Sequence, residues 1–293
     1  MTRFQFAFIF IAACLGGLFT SAGAAETNTS PAPPLKLCVT TFNLRYASSE
    51  RPNSWTERRP VMRDCLRQLA PDLIGTQEGL HQQLKDIAAD LPDYNWIGTG
   101  RDGGNKGEFM AIFYRRDRFE ALATNHFWLS DTPGVTASST WGNTCKRMVT
   151  WVRFRERSSG REFYFWNTHL DHEVEAARQK SAALIRERVG AVKTDLPVVL
   201  TGDFNCAAGR SRAYDMLVRD GGFTDTWMSA KARGNESFNS FHGFQEPKQN
   251  GVRIDWILTR SAATVDKAEI VTFSKDGQHP SDHFPVAAWL SFP

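Results

Sequence analysis

The sequence has 293 residues, of which 41% are hydrophobic and 23% are charged, and its formal net charge at pH 7 is +3. These proportions are those of ordinary soluble globular proteins, so they exclude disordered and fibrous chains. The length is within the range of one large sandwich or barrel domain, and the small net charge does not identify a partner.

The N-terminus has the layout of a secretory signal peptide. Arg3 precedes an apolar run over residues 4–19, and the small residues 22–24 form an A-x-A-like cleavage site. We therefore expect residues 1–25 to be removed and the protein to be exported to the periplasm or the extracellular space. A lipobox-like segment ending at Cys14 is the alternative, and it would give a lipoprotein. The apolar run is short for a membrane-spanning helix, so no stable membrane insertion is expected.

The polar, proline-rich residues 26–34 predict a flexible linker, followed by one folded domain over residues 35–293. Short apolar runs rich in β-formers predict strands at Leu35–Tyr46, Asp72–Glu78, Glu108–Arg115, Arg147–Phe154, Glu162–His169, Pro197–Asn205, Val252–Thr259 and Phe284–Leu290. Amphipathic patterns predict helices at Pro60–Ala70, Leu80–Leu91, Val174–Val192 and Ser211–Arg219. Many strands with few helices indicate two packed sheets that carry helices on the outside.

Polar side chains end several of the predicted strands. The segments concerned are Asp72–Glu78, Phe163–His169, Val198–Asn205 and Val252–Asp255. Charge at a buried strand end is costly unless it is paired or bound to metal. Because strand side chains alternate, Asp203 and Asn205 project to one side, and so do Asn43 and Arg45. We expect these groups to converge at one end of a sandwich, with Arg45 available to bind substrate.

This set of side chains supplies what phosphoester hydrolysis needs: a hard cation, an activated water and donors for negative charge. Glu78 and Asp282 offer the carboxylate oxygens that Mg²⁺ prefers. Asp203 is a candidate base, Asn205 can orient the water or a phosphate oxygen, and two histidines can donate to the phosphate. Each residue alone could be a turn or core residue, so the combination carries the prediction.

Six ordered motifs resemble those of the endonuclease/exonuclease/phosphatase superfamily, over about residues 37–290. They are Thr41-Phe42-Asn43-Leu44-Arg45, Thr76-Gln77-Glu78, Asn167-Thr168-His169-Leu170, Thr201-Gly202-Asp203-Phe204-Asn205, Arg253-Ile254-Asp255-Trp256-Ile257 and Ser281-Asp282-His283-Phe284-Pro285-Val286. The resemblance implies an α/β (α+β) four-layer sandwich, in which two packed mixed sheets are flanked by helices. The chain is most similar to a secreted bacterial branch of this superfamily.

The resemblance also implies a metal site and a base. Asn43 and Glu78 would bind the divalent ion, usually Mg²⁺ with Mn²⁺ as the alternative, and Asp282 would lie close to the same site. Asp203 would position or deprotonate the attacking water, and Asn205 would help to hold the phosphate.

The same resemblance gives roles to two histidines and their neighbours. His169 and His283 would contact phosphate oxygens, with Asp255 orienting and charging His283. Glu108 falls where pancreatic deoxyribonuclease has a glutamate that supports the first histidine. Arg147 falls where that enzyme has an arginine that contacts phosphate. A plain surface charge is the alternative for both Glu108 and Arg147.

One departure from the deoxyribonuclease pattern bears on the substrate. Gly79-Leu80 stand where that pattern has an arginine that reaches toward DNA. Tight duplex binding draws on several cationic contacts, so we expect a small phosphorylated molecule or phosphodiester as substrate. A secreted nuclease acting on DNA or RNA is the alternative. A non-catalytic binding protein on the same scaffold is disfavoured because both Asp203 and Glu78 are retained. We expect a monomer.

Four cysteines remain after removal of the signal peptide, and export would permit disulfides among them. They are Cys38, Cys65, Cys145 and Cys206. Cys145 lies two residues before Arg147, and Cys206 follows Asn205, which favours a bridge between these two cysteines near the site. Buried free thiols are the alternative.

Overall fold

The computed structural model describes residues 1–2, 33–192 and 194–293, and the strands of this part form two large sheets. The strands are β1 (Leu35–Asn43), β2 (Leu73–Gln77), β3 (Gly79–Leu80), β4 (Tyr94–Ile97), β5 (Glu108–Phe109), β6 (Ile112–Arg115), β7 (Phe119–Trp128), β8 (Met148–Glu156), β9 (Glu162–His169), β10 (Val198–Asp203), β11 (Thr224–Asp225), β12 (Ala232–Gly234), β13 (Asp255–Arg260), β14 (Thr264–Ile270) and β15 (Val286–Phe292). The predicted signal peptide and most of the linker lie outside the described residues.

The first sheet has seven strands in the order β12-β14-β15-β1-β2-β6-β4, and the second has six in the order β11-β13-β10-β9-β8-β7. β3 and β5 form a separate short pair. The helices are α1 (Trp55–Leu69), α2 (His81–Asp90), α3 (Glu175–Ala191), α4 (Arg212–Val218) and α5 (Thr226–Ser229). The prediction of an α/β sandwich of two sheets with helices is confirmed.

Successive side chains of the strands point alternately into a core between the two sheets and into one of two outer cores beneath the helices. In β10, Val199 packs between the two sheets, while Val198 and Leu200 face the helices that cover the second sheet. In β1, Leu37 and Val39 are also in the core between the sheets. The helices α1 and α2 cover the outer face of the first sheet, and α3 and α4 cover that of the second. This period-two division is what a strand buried on both faces requires.

Several elements differ from their predicted bounds. Helix α1 begins at Trp55 because the side chain of Ser54 caps it, in a capping box with Glu57. The strands β7 and β14 were not predicted, since many of their side chains are exposed and do not alternate clearly. The predicted strand over residues 108–115 is split into β5 and β6.

Strand pairing brings the predicted site to one end of the sandwich. The parallel strands β1 and β2 end side by side, with Asn43 opposite Gln77. In the second sheet Asp203, at the end of β10, pairs with His169 on one side and with Asp255 on the other. The carboxyl ends of parallel strands meet at one edge, which is where sites in such sheets form.

A buried polar layer joins the sheets beneath this end. Asn167 accepts hydrogen bonds from Nε2 of Gln77 at 2.7 Å and from Oγ1 of Thr201 at 3.1 Å. Its own amide donates to the carbonyl oxygens of Thr76 and Ala111. The two sheets approach closely here, since a Cβ atom at Gly75 would lie 2.0 Å from Oγ1 of Thr201. The layer fixes the spacing between the strand ends that carry the site.

The four cysteines of the folded domain are free, so the Cys145–Cys206 bridge is not formed. Cys206 packs against the outer core of the second sheet, whereas Cys145 lines the cleft described below. The two thiols therefore face different surroundings, and burial raises the pKa of Cys206 to about 12. None of the described helices combines the length and apolar character that crossing a bilayer requires.

Candidate active site

The ends of strands from both sheets open into a cleft of about 320 Å³. The predicted residues that line it are Arg45, Glu78, Glu108, Arg147, His169, Asp203, Asn205, Asp282 and His283. Asn43 and Asp255 are fully buried and hydrogen-bond to Asp203 and His283 respectively. The structure thus brings all the predicted site residues together.

Three cleft residues adopt the left-handed backbone region although none is glycine. The φ angles are 51° for Arg45, 63° for Glu78 and 50° for Asn205. Each follows within two residues of a strand end, at β1, β2 and β10. Such conformations cost about 1 kcal/mol or more and persist where surrounding contacts enforce them. Here they end the strand alternation and place all three side chains on the cleft.

The second sheet and the segment before β15 supply a cluster that we call the histidine side, composed of His169, Asp203, Asp255 and His283. Nδ1 of His283 lies 3.0 Å from Oδ2 of Asp255, and Nε2 lies 3.7 Å from Oδ2 of Asp203. Burial alone would lower the pKa of His283, but the two carboxylates outweigh it and raise the pKa. His283 is therefore an imidazolium held between two carboxylates.

Asp203 occupies the centre of the histidine side. Nδ2 of Asn43 donates to Oδ2 of Asp203 at 2.9 Å, and the backbone N–H of Asn205 donates to Oδ1 at 2.9 Å. Burial, followed by the charge of Asp255, raises the pKa of the Asp203 carboxyl. A carboxylate with a raised pKa is a better general base than an ordinary aspartate, so Asp203 is suited to accept a proton from water.

His169 is neutral, in contrast to His283. Burial, together with the charge of Arg147, lowers the pKa of His169 well below its usual value. Its Nε2 lies 2.9 Å from Nδ2 of Asn205, which also donates to the carbonyl oxygen of Leu170. The 3.4 Å separation between Nε2 and the Asp203 carboxylate is thus not an ion pair.

The first sheet supplies most of the carboxylate side, which we define as Asn43, Arg45, Glu78 and Asp282. The side chains of Glu78 and Asp282 are 16% and 11% exposed, and Arg45 lies 3.9 and 3.8 Å from them. These separations are longer than hydrogen bonds. Burial, and also the charge of Glu78, raises the pKa of Asp282. Two neighbouring carboxylates with one loosely held arginine fit a divalent cation with oxygen ligands.

Asn43 lies beside the carboxylates of the implied metal site and hydrogen-bonds to both sides of the cleft. Its Nδ2 donates to Oε1 of Glu78 at 3.0 Å as well as to Asp203, while its Oδ1 accepts from the backbone N–H of Arg45. The amide oxygen accepts one hydrogen bond and keeps a second lone pair, so its role as a metal ligand stays a prediction. In this structure Asn43 holds the two carboxylates in position and joins the two sides of the cleft.

The ligand atoms of Asp203, Asp255 and His283 lie within 4.8 Å of one another, a spacing that could also hold a metal ion. A histidine must be neutral to bind metal, and the raised pKa of His283 keeps it protonated. The imidazolium already supplies the positive charge between these carboxylates. The carboxylate side is the better metal site.

Arg147 is positioned to contact an anion. It is 3% exposed, its Nη2 bonds to Nδ1 of His172 at 3.0 Å, and its Nε lies 3.9 Å from Asp171. Its Nε and Nη1 have no hydrogen-bond partner in the described part of the chain. Unpaired donors of a buried guanidinium that lines a cleft favour a negatively charged ligand.

Glu108 does not support the first histidine as the resemblance implied. Its Oε2 accepts from Nη1 of Arg101 at 2.7 Å, while Nδ1 of His169 has no partner among the described residues. The long, charged side chain of Arg101 reaches Glu108 from the loop before β5. The Glu108 carboxylate therefore pairs with Arg101 and not with His169. Burial raises the pKa of Glu108 to about 7.

Arg58 is a site-supporting residue that the sequence did not indicate. It is fully buried in α1, and its guanidinium donates to five backbone carbonyls. They belong to Leu44, Arg45, Tyr46, Asn53 and Pro280. It therefore ties the loop after β1 to the segment that carries Asp282. An arginine in a helix of otherwise ordinary composition carried no signal for this role.

Five further cleft residues were not among the predicted site residues. They are Tyr46, Arg101, Cys145, His172 and Phe241. Most of them lie in loops without a motif, and their positions depend on how those loops fold over the strand ends.

Comparison with known proteins identifies the family of the chain. The profile of the Endonuclease/Exonuclease/phosphatase family matches residues 40–283. A family protein of known structure from Bacteroides thetaiotaomicron is 36% identical, with a TM-score of 0.81 over 89% of this chain and 99% of that chain. A mannosyl-6-phosphatase from the same organism is 36% identical, with a TM-score of 0.80 over 87% of this chain and 100% of that chain.

A curated relative is more distant. Protein angel of Drosophila melanogaster is 26% identical over 235 residues, which are 75% of this chain and 63% of that protein. The chain thus spans less than two thirds of this relative's length. The family profile covers most of the chain, and its boundaries include every residue of the cleft. The chain belongs to the endonuclease/exonuclease/phosphatase family.

Proposed function

We propose that this protein is a divalent-metal-dependent hydrolase that releases phosphate from a small phosphorylated compound. The observation that carries the proposal is the cleft, which is small and lined by acidic and basic groups in close pairs. Its volume of about 320 Å³ is at the lower end of the range for small-molecule sites. Mg²⁺ or Mn²⁺ is the proposed ion, with Glu78 and Asp282 as its ligands.

The side chains supply the chemistry as follows. Asp203 takes a proton from a water molecule while the water oxygen forms a bond to phosphorus. The bond between phosphorus and the leaving oxygen breaks, and the leaving oxygen takes a proton from solvent. His283 and Arg147 donate to the phosphate oxygens, where negative charge is concentrated. A bound divalent ion would add Lewis-acid stabilisation of the same charge.

The pairing of charges in the cleft favours a small ester over nucleic acid. Arg45 lies between Glu78 and Asp282, and Arg101 is bonded to Glu108. Binding of a long polyanion draws on several free cations that contact successive phosphates. Among the arginines that line this cleft in the described residues, only Arg147 has buried guanidinium donors without a partner.

The similarity to a mannosyl-6-phosphatase supports a phosphomonoester as the substrate. That similarity extends over 87% of this chain at 36% identity, and the six motifs of the site fall within the part that the family profile matches. A sugar phosphate is therefore the first substrate class to test.

The test is release of phosphate from a panel of hexose 6-phosphates and glycerol 3-phosphate, alongside bis(p-nitrophenyl) phosphate and supercoiled plasmid. Each is assayed with Mg²⁺, with Mn²⁺ and in excess chelator. We expect phosphate release from monoesters only in the presence of metal. Efficient plasmid nicking without turnover of any small ester would instead identify a nuclease, and full activity in chelator would contradict the metal requirement.

A further inference from the structure

Two exposed aromatic side chains line the cleft beside the catalytic groups. In the described part of the chain, the exposed large hydrophobic residues are Met1, Tyr46, Val135, Met228 and Phe241. Both aromatic members of this set, Phe241 at 45% and Tyr46 at 37% exposure, lie in the cleft. Water-exposed aromatic surface is unfavourable, so its concentration at a site indicates contact with a ligand.

Phe241 is held in place from behind. Its ring centroid is 4.8 Å from that of His283, at an interplanar angle of 57°. The backbone N–H groups of His242 and Gly243 donate to the carbonyl oxygen of Asp282 at 2.9 and 3.0 Å. At Gly243, whose φ is 61°, a Cβ atom would lie 3.2 Å from the ring. One side of the ring is therefore covered, and the exposed part faces the cleft.

Tyr46 is fixed on the carboxylate side. Its backbone N–H donates to Oε2 of Glu78 at 3.3 Å, and its carbonyl oxygen accepts from Nη2 of Arg58 at 3.1 Å. The guanidinium of Arg45 lies 4.4 Å from the centroid of its ring. One face of this ring is thus occupied by a cation, and the rest of the side chain borders the cleft.

We propose that Phe241 and Tyr46 form a subsite for the sugar ring of a sugar phosphate, an inference that rests on the proposed function. A pyranose has an apolar face of C–H groups, which can pack on the exposed part of the Phe241 ring. Its hydroxyl groups can bond to Glu108 and Arg101, which line the same cleft. A carboxylate and a guanidinium together offer acceptors and donors to neighbouring hydroxyls.

A planar nucleobase fits this arrangement less well than a sugar. A base is held best between aromatic or guanidinium faces, whereas one side of Phe241 is covered by His283 and a face of Tyr46 by Arg45. The remaining lining is strongly polar and charged, which suits a ligand with many hydroxyl groups.

The test compares kcat/KM for mannose 6-phosphate with that for the acyclic ester glycerol 3-phosphate. The proteins are the wild type, Phe241→Leu, Phe241→Tyr, Tyr46→Leu and the control Met228→Leu, which changes an exposed residue outside the cleft. We expect the preference for the sugar ester to fall roughly tenfold in Phe241→Leu, mainly through KM. Phe241→Tyr should keep the wild-type preference because it keeps the aromatic ring, and Met228→Leu should not change the preference.

The outcomes separate this inference from the proposed function. A wild type that hydrolyses phosphomonoesters, with the same preference in Phe241→Leu and Tyr46→Leu, overturns the subsite alone. A loss confined to a nucleoside 5′-phosphate assayed in parallel would show that the subsite takes a base, which contradicts the inference. Absence of all phosphomonoester hydrolysis by the wild type overturns both. If Phe241→Leu does not fold, judged by its melting curve, Tyr46→Leu decides the result.

Discussion

The two sides of the cleft balance their charges in different ways. On the histidine side, His283 lies between the carboxylates of Asp255 and Asp203, and all three side chains are buried. On the carboxylate side, Glu78 and Asp282 remain partly open to solvent and share Arg45 at 3.8 to 3.9 Å. Each side thus has one cation and two carboxylates, but they are buried on the histidine side, whereas on the carboxylate side the contacts are longer and partly open to solvent.

This difference suggests a division of work. The histidine side is preorganised by the chain itself, since its imidazolium and carboxylates have their partners in place. The carboxylate side holds its arginine loosely and is partly open to solvent, so a divalent cation can bind beside its two carboxylates. Asn43 connects the two, because its amide donates to both Glu78 and Asp203. Changes on the histidine side should therefore affect turnover, and changes on the carboxylate side should affect metal affinity.

The largest effect is expected for Asp203→Asn on the histidine side. Removing the base should lower kcat by roughly two to four orders of magnitude, the range typical of a lost general base. Steady-state phosphate release in saturating Mg²⁺ measures it, with the exposed Asp220→Asn as the matched control. Wild-type turnover, once corrected for the folded fraction, would show that Asp203 has only a structural role.

A smaller effect is expected for Glu78→Gln on the carboxylate side. The neutral amide removes one anionic ligand, so the Mg²⁺ concentration for half-maximal activity should rise by roughly 10- to 100-fold. A metal titration of activity measures the shift. If the titration curve is unchanged and only the plateau falls, Glu78 belongs to the chemistry and not to the metal site.

The next test concerns the support of the carboxylate side. Arg58→Met removes the donors of five backbone carbonyls, and we expect it to lower the free energy of unfolding by about 3 kcal/mol. Chemical denaturation measures the loss. The neighbouring Arg59→Met removes partly exposed ion pairs and should cost about 1 kcal/mol or less. Equal losses for the two variants would contradict the role given to Arg58.

The smallest effect is expected in how the free energy of unfolding depends on pH. It concerns the buried His242, which lies behind the segment that carries Asp282 and His283. Burial, with the nearby charges of His279 and His283, lowers the pKa of His242 from 6.5 to about 3. The unfolded chain gains this proton below pH 6.5 and the folded chain does not, so stability is lost as pH falls from 6.5 toward 3. The free energy of unfolding of the wild type should fall between pH 7.5 and pH 5.5. In His242→Phe it should fall by about 1 kcal/mol less. An identical difference would show that His242 does not contribute.

The sequence predicted the site better than its surroundings. Asp203, Asn205 and His169 stand at the ends of apolar strands, where period-two alternation and the cost of buried charge make them candidates, and the resemblance of the six motifs gave them roles. Their meeting in one cleft follows from the parallel pairing of β9 with β10. The two sheets and most helices were predicted from the same local patterns.

Contacts between distant segments could not be predicted in this way. Arg58 is 222 positions from Pro280, to whose carbonyl it donates, and no local pattern relates them. The pairing of Glu108 with Arg101 depends on the path of the loop before β5. Phe241 reaches the cleft through an isolated bridge to His283. These positions are set by loop packing, which residue periodicity does not encode.

The most direct test of the division between the two sides is calorimetric titration of Mn²⁺ into the wild type, Asp203→Asn and Glu78→Gln, with phosphate release measured on the same samples. We predict that Asp203→Asn binds Mn²⁺ within a few-fold of the wild type while its turnover is lost. We predict that Glu78→Gln binds Mn²⁺ much more weakly. Loss of Mn²⁺ binding in Asp203→Asn, or wild-type binding in Glu78→Gln, would contradict the account.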